Sequence, residues 1–397
     1  MIPNSQRETQ LIDPLFAMPL IFVVTLGLSF GLTVLVRKVA LQRGLVDEPG
    51  EERRVHRVPI PRLGGLAMFA AFAVGVLLTF VFDIRAGKSG NAAFEGSRVL
   101  LMLLGAGIIT LVMAVDDIRG LRPVTRLIWQ IGSALLVIIP SLIWPGGPNV
   151  ITPLDGSPPF IETPGTRHYD QGAGVLALTV QNPFGGSIEM PLVIAVLFTI
   201  VWLVGMTNTI NWIDGLDGLA AGVSVVACGV LFWITGFVVE QWTLAYLPLI
   251  LGAAILGFLP FNIHPARIFM GDSGAMFLGF TLAVIAIIGG AKLAAALLVL
   301  GVPILDAIYL VIYRLYRGQS PMSPDRAHLH HRLLDLGFSQ QQVVLIFYAL
   351  SATFGVLGLL LPSGLLKLIA LLAMATILVG LLIYIARRKF DRVSAQK

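Results

Sequence analysis

Apolar residues in this sequence run in unbroken blocks of about twenty, the length a helix needs to cross the roughly 30 Å hydrocarbon core of a bilayer. Inside lipid each backbone N–H and C=O must find its partner within the segment or in a closed sheet, so a chain built of such blocks folds as helices or as a barrel. A membrane barrel shows stretches of about ten residues with alternating polarity, which these blocks do not. Charge is correspondingly scarce. Of 397 residues, 12% are charged and 56% hydrophobic, with a mean hydropathy of +0.88, whereas soluble domains carry roughly a quarter charged residues. The expected fold class is an all-α polytopic membrane protein. The single Cys228 lies in an apolar run, so no intramolecular disulfide or cysteine-based zinc site can form.

About eleven spans are expected, near residues 19–36, 63–82, 99–115, 127–144, 191–210, 218–236, 243–261, 274–289, 293–312, 341–361 and 368–386. The weakest pair lies between 274 and 312, punctuated only by Gly289, Gly290 and Lys292. If the spans alternate, loops on one side hold 20 of the 27 Lys and Arg. The positive-inside rule makes that side cytoplasmic, with the N-terminus outside and the C-terminus inside. Arg37 and Lys38 follow the first apolar stretch instead of preceding it, unlike a cleavable signal peptide. The connection over 145–190 is expected to be an extracytoplasmic loop, rich in Pro and Gly, with a short hairpin around Val175–Val180. Residues 1–397 read as a single membrane-embedded domain, with no soluble domain and no internal repeat.

That orientation uses Lys and Arg alone, yet it also sorts the acids. Asp116, Asp117, Asp214, Asp217, Asp272, Asp325 and Asp335 all fall at cytoplasmic span ends or loops, as do His56, His264, His328, His330 and His331. Asp306 is the one clear charge within a span. A transporter keeps ionisable groups near the midplane, reachable from both faces, and a purely structural scaffold gives no reason for clustered acids, amides and histidines. The pattern describes a reaction centre at one membrane face.

Five clusters carry the chemistry. Asp116-Asp117 places two carboxylates at a helix C-terminus, unfavourable to the helix dipole and to each other unless a cation offsets them. Asn208, Asn211, Asp214 and Asp217 fall within ten residues. Asn208 and Asn211 share a helix face, and this exceeds what capping requires. Asp272 sits between Gly271 and Ser273-Gly274 before a span, with Arg267 nearby; a plain helix N-cap is the competing reading. Asp325-Arg326-x-His328-Leu-His330-His331 is the densest polar run. It reads as an anion site, since His-x-His-His without a distant Cys or Glu partner is a weak zinc signature. Arg53, Arg54, His56, Arg57 and Arg62 gather on the same side, where topology-setting charge is the competing reading. Amide and carboxylate oxygens suit Mg²⁺ with a phosphate substrate. Together the clusters suit phosphoryl transfer between a soluble nucleotide and a lipid phosphate. No P-loop or dinucleotide fingerprint is present, so nucleotide binding would rest on interhelical loops.

These residues resemble the polyprenyl-phosphate N-acetylhexosamine-1-phosphate transferase family of integral membrane enzymes. The resemblance covers five ordered motifs from His56 to about Gln342, the motif-bearing part spanning about 53–342. Pro61-Arg62-Leu-Gly-Gly, Asn182-Pro-Phe-Gly-Gly and His328-Leu-His-His-Arg-Leu are similar to the branch that uses UDP-N-acetylglucosamine. The peptidoglycan translocase branch shows a Pro-Thr-Pro-Thr-Met-Gly-Gly loop and a run of three histidines, both lacking here. Arg57 and Arg267 stand where many relatives have Lys, a change that keeps charge but alters phosphate geometry.

The resemblance implies Asp272 and Asn211 as Mg²⁺ ligands, with Mn²⁺ able to substitute, and Asp214 orienting metal or substrate. Asp116 and Asp117 would engage the lipid phosphate, one as base or electrostatic positioner. His56, Arg62, Asn208, Asp217, Arg267, Arg326, His328, His330 and His331 would bind substrate, Arg326 and the three histidines around the sugar diphosphate. The implied reaction is attack of undecaprenyl phosphate on the β-phosphorus of a UDP-sugar, releasing UMP. Direct attack and a covalent aspartyl-phosphate intermediate both fit the residues. The alternative is the same chemistry with another UDP-sugar, including phospho-N-acetylmuramoyl-pentapeptide transfer. The implied partners are the UDP-sugar, the polyprenyl phosphate and membrane lipid, without nucleic acid; a homodimer stays open. The implied location is the bacterial inner membrane, with the site on the cytoplasmic face.

Overall fold

A computed structural model describes residues 14–47, 59–81, 92–143, 174–288, 293–316, 318–320 and 328–394. The described chain is helical almost throughout, as its apolar blocks require. In chain order the helices are α1 (Pro14–Gln42), α2 (Gly64–Val81), α3 (Ala92–Arg119), α4 (Pro123–Ile143), α5 (Leu192–Ile213), α6 (Leu219–Trp233) and α7 (Trp242–Asn262). They continue with α8 (Gly271–Ile288), α9 (Leu293–Val299), α10 (Gly301–Tyr316), α11 (Leu329–Asp335), α12 (Gln340–Leu360) and α13 (Gly364–Ser394). Among the described residues ten helices are long and apolar enough to cross a membrane, or eleven if the bent pair α9 and α10 forms one span.

α8 is the axis of the bundle. Every residue from Ser273 to Ile288 is buried, enclosed chiefly by α3, α5 and α2. Lipid cannot drive helices together by the hydrophobic effect, so close van der Waals approach must do so, and small residues permit it. Gly65 on α2 meets the backbone of Ser273 and Gly274 on α8 so tightly that a Cβ there would collide with the Gly274 amide. This contact matters beyond packing, because it sets the N-terminus of α8 against the start of α2.

The ninth expected span, 293–312, is not one straight helix. α9 and α10 meet at an angle of 81°. Pro303 supplies a reason: it has no N–H to donate, and its ring would crowd the carbonyl of Val299, the last residue of α9. The methyl of Met374 on α13 packs against Gly301 in the elbow, where a Cβ would not fit. Asp306 is therefore carried on a helix that turns away from the α9 axis, and it is not isolated: it pairs with His328.

The expected hairpin forms slightly later than its apolar alternation suggests. β3 (Thr179–Gln181) pairs antiparallel with β4 (Ser187–Glu189), Val180 opposite Ile188. Val175–Ala177 are instead buried against the bundle, the Val175 N–H donating to the Val137 carbonyl at 2.7 Å. Asn182-Pro-Phe-Gly-Gly is the turn between the strands, with Gly185 and Gly186 both at positive φ. At the opposite chain region, β1 (Val46–Asp47) pairs with β2 (Ile60–Pro61), bringing Asp47 beside the start of α2.

Candidate active site

The end of α3 resolves the problem of its two adjacent acids by sending them in different directions. Asp116 is buried, accepts from the Leu121 N–H across the tight turn into α4, and pairs with Arg126 Nε at 3.0 Å. Asp117 faces the start of α8, where it accepts from the Asp272 N–H at 2.8 Å and the Ser273 N–H at 3.1 Å. It thus caps a neighbouring helix, placing its charge at the positive end of that dipole. Arg126, in the first turn of α4, is the offsetting cation. Its Nη1 lies 2.8 Å from Asp272 Oδ2, so one guanidinium bridges α3 and α8.

Asp272 is accordingly more than a cap. Its side chain turns away from its own helix end, Oδ2 toward Arg126 and Oδ1 accepting from Asn211 Nδ2 at 2.9 Å. Gly271 makes this possible. At φ +70° it adopts a conformation that L side chains resist, and a Cβ there would strike the Arg62 carbonyl and the Asp117 carboxylate.

The second half of the site is the turn between α5 and α6. Asp214 follows the last residue of α5 and lines the cleft. Withdrawal from water, then repulsion from Asp272, Asp117 and Asp217, holds its carboxyl well above the usual carboxylate range. Asp217 Oδ2 takes the Ala266 N–H at 3.0 Å and lies 2.8 Å from His264 Nδ1, tying this turn to the loop before α8. Asn262 reinforces the tie: Oδ1 accepts from the Gly218 N–H at 3.2 Å and Nδ2 donates to the Ile268 carbonyl at 3.1 Å. Tyr348 on α12 donates its hydroxyl to the Gly218 carbonyl at 2.5 Å.

Asp116, Asp117, Asn211, Asp214, Asp217, Asp272 and Arg62 all line one cleft of about 780 Å³. Arg62 Nη2 is held at 2.6 Å from the buried Asp47. Other expected residues stand elsewhere. Asn208, one turn before Asn211, is not on the cleft wall; its Nδ2 donates to Gln130 Oε1 at 2.7 Å and to the Val204 carbonyl at 2.8 Å. The Arg267 side chain is exposed outside the cleft lining, while its carbonyl accepts from Arg37 Nε at 3.1 Å. His328 and His330 are buried behind the cleft, with His331 adjacent. His56 and Arg326 lie outside the described residues, as do Arg53, Arg54, Arg57 and Asp325.

Arg126, Asp47, His264 and Asn262 also line the cleft and were not singled out as site residues. For Arg126 the signal existed, since the acid pair demanded a cation, but three arginines follow Asp117 before α4 is well under way and spacing does not choose among them. Nothing local marks Asp47, whose role arises from a strand pairing with residues thirteen positions on.

Whether the cleft suits a divalent cation is a question of donor chemistry. Among the described residues no three Asp, Glu, His or Cys side chains converge on one point. Two oxygen-bearing side chains, Asp272 and Asn211, do meet beside several further acids that one guanidinium only partly offsets. Mg²⁺ is commonly held by one or two carboxylates, with waters and substrate phosphates completing its shell, so this donor set fits it. The Asn211 amide would turn its oxygen inward to take part.

An acid-lined cleft at one end of an apolar helical bundle is the arrangement of an integral membrane enzyme that handles a polar group beside a lipid. Comparison with known proteins agrees. Residues 99–290 match the model of glycosyl transferase family 4. The chain is 31% identical over 350 residues to a probable undecaprenyl-phosphate N-acetylglucosaminyl 1-phosphate transferase of Bacillus subtilis (strain 168), covering 86% of this chain and 84% of that protein. It is 31% identical over 359 residues to a decaprenyl-phosphate N-acetylglucosaminephosphotransferase of Mycolicibacterium smegmatis, covering 84% and 80%. A phospho-N-acetylmuramoyl-pentapeptide-transferase of Staphylococcus aureus is 27% identical over 324 residues, covering 79% and 88%. The chain belongs to glycosyl transferase family 4 and is a membrane phospho-glycosyltransferase.

Proposed function

We propose that this enzyme transfers N-acetylglucosamine 1-phosphate from UDP-N-acetylglucosamine to undecaprenyl phosphate. A lipid phosphate oxygen forms the new bond to the β-phosphorus, the bond between that phosphorus and the UMP oxygen breaks, and UMP leaves. The product, a sugar-diphospho-polyprenol, would start a lipid-linked envelope glycan. The observation that carries the reading is the bridge Asp116–Arg126–Asp272–Asn211, which joins four helices, α3, α4, α8 and α5, around one acid-rich cleft.

In this reading Asp272 and Asn211 would hold Mg²⁺, and a bound ion would supply charge neutralisation at the diphosphate. Asp116 and Asp117 stand on the acceptor side, Asp117 also keeping the Asp272 amide in place. Asp214, Asp217 and Arg62 flank the donor side, with His328, His330 and His331 behind them. The similarity of the two N-acetylglucosamine relatives over more of this chain favours that sugar over the muramoyl-pentapeptide donor.

The cation distribution favours an orientation with the cleft at the cytoplasmic face and the β3–β4 turn outside, and the bacterial relatives favour an inner-membrane location. A cysteine placed at Phe184, exposed at that turn, should label in intact cells, and one at Gln319 only after permeabilisation; the reverse result overturns the orientation. The deciding experiment for function is kcat/KM for individual UDP-sugars with undecaprenyl phosphate, read as UMP release. UDP-N-acetylglucosamine should be the best donor by at least tenfold. Efficient transfer from UDP-N-acetylmuramoyl-pentapeptide would move the enzyme to the translocase branch, and a different small sugar would keep the chemistry but reject the donor.

A further inference from the structure

Asp306 lies on α10, beyond the elbow with α9, and is fully buried. A carboxylate withdrawn from water is costly unless its oxygens are satisfied. Both are: Oδ1 accepts from the Leu329 N–H at 2.9 Å, and Oδ2 lies 3.0 Å from His328 Nδ1. An ionised carboxylate can only accept, so that nitrogen of His328 carries the proton. The His328 side chain makes no cap for α11; Asp306 does so from another helix. One residue thus sets both the start of α11 and the orientation of its first imidazole.

The consequences reach the cleft. His328 stacks on His330, ring centroids 5.4 Å apart and planes within 14°. His330 is buried, and neither of its ring nitrogens has a hydrogen-bond partner among the described residues. Its Nε2 lies 2.5 Å from where a Cβ on Gly215 would be, so it abuts the Asp214–Asp217 turn directly. His328 also lies 6.2 Å, centroid to centroid, from Trp212, the residue after Asn211. Arg314, two helical turns beyond Asp306 on α10, is buried with its guanidinium over the same indole, 5.8 Å from the ring centroid. α10 therefore braces the end of α5 and the histidine run together.

We propose that Asp306 is a positioning residue for donor binding: it locks His328 and the start of α11 so that His330 supports the Asp214–Gly215 backbone from behind the cleft. The histidines then act through the turn that lines the donor side. This rests on the proposed function for the identity of the donor and for the side of the cleft it occupies.

The test uses full-length enzyme in detergent or nanodiscs. Asp306→Asn keeps volume and an acceptor for Leu329 but removes the charge that orients His328. The variant should raise the KM for the UDP-sugar about tenfold or more, as loss of an orienting partner commonly does, while the KM for polyprenyl phosphate stays within twofold. Calorimetric titration with UDP alone reads the same effect without turnover and should show a similarly weakened Kd. His328→Gln should reproduce both changes, and the double variant should be no worse than either single one. Unchanged UDP affinity in folded Asp306→Asn, additive losses in the double variant, or equal losses for donor and lipid would each overturn the proposal. If Asp306→Asn does not fold, His328→Gln alone decides by the same two readouts. Wild-type protein that binds UDP yet transfers no sugar phosphate would instead count against the proposed function.

Discussion

Two regions of this protein gather ionisable side chains, and they treat them oppositely. In the cleft, Asp116, Asp117, Asp214 and Asp272 line one space, and Arg126 bridges two of them, Asp116 and Asp272. Behind it, Asp306 faces histidines with both oxygens satisfied, and His330 is packed in without hydrogen bonds of its own among the described residues. Unbalanced charge is expensive to keep near lipid, so the first arrangement makes sense where a cation and a diphosphate are to enter. The second is closed on itself and suits a support. Residue type alone does not separate a contact with substrate from a brace behind it; the balance of charge and solvent does.

Three outcomes would break or sharpen that contrast. The largest is expected at Asp272→Asn, which removes charge from the centre of the cleft with almost no change in volume. Transfer should fall on the order of a thousandfold, about 4 kcal/mol of transition-state stabilisation, with the bundle still folded by circular dichroism. Near-normal turnover with unchanged Mg²⁺ dependence would remove Asp272 from the metal site and with it the distinction between the regions.

A smaller effect is expected from Gly271→Ala. Its positive φ and the proximity of Asp117 and Arg62 leave no room for a methyl group. A strained left-handed residue costs about 1 to 3 kcal/mol, so the melting temperature should drop and the α8 N-terminus should shift away from Asp117. A variant as stable and active as the parent would mean that the cleft tolerates repositioning of Asp272.

The smallest effect is a pH dependence of stability from the histidine region. Burial, with His331 and His328 adding to it, holds the His330 imidazole well below the usual histidine range. The unfolded chain binds that proton near pH 6.5 and the native protein does not. The stability is therefore fully present above about pH 6.5 and declines as the pH falls below it, by about 1.4 kcal/mol per unit for this one group. Denaturation curves at pH 7.5 and 5.5 should show the loss, and His330→Gln should flatten it. An equally steep decline in that variant would place the titration elsewhere.

Much of this was legible in the residues themselves. Blocks of twenty apolar residues admit only helices in a bilayer, and charge scarcity leaves the few acids conspicuous, so the span pattern and most cleft residues follow from local physics. The end of α3 shows where that reading stops. Two neighbouring carboxylates signal that a cation must exist, but Arg126 becomes that cation only because α4 packs against α3 and brings its first turn to the start of α8. Asn208 and Asn211 share a face and look equivalent by spacing, yet one meets Asp272 and the other Gln130, since the facing helix changes within one turn.

The sequence by itself determined the helical class, the spans that run straight and the residue types of the cleft, because hydrophobic length and desolvation act on each segment separately. Only the tertiary structure decided which carboxylate caps α8, which arginine bridges the acids, how sharply α9 and α10 bend, and that Asp306 answers to His328. Those outcomes depend on contacts between residues as far apart as 156 positions, Asp117 and Ser273, and no local propensity carries that distance.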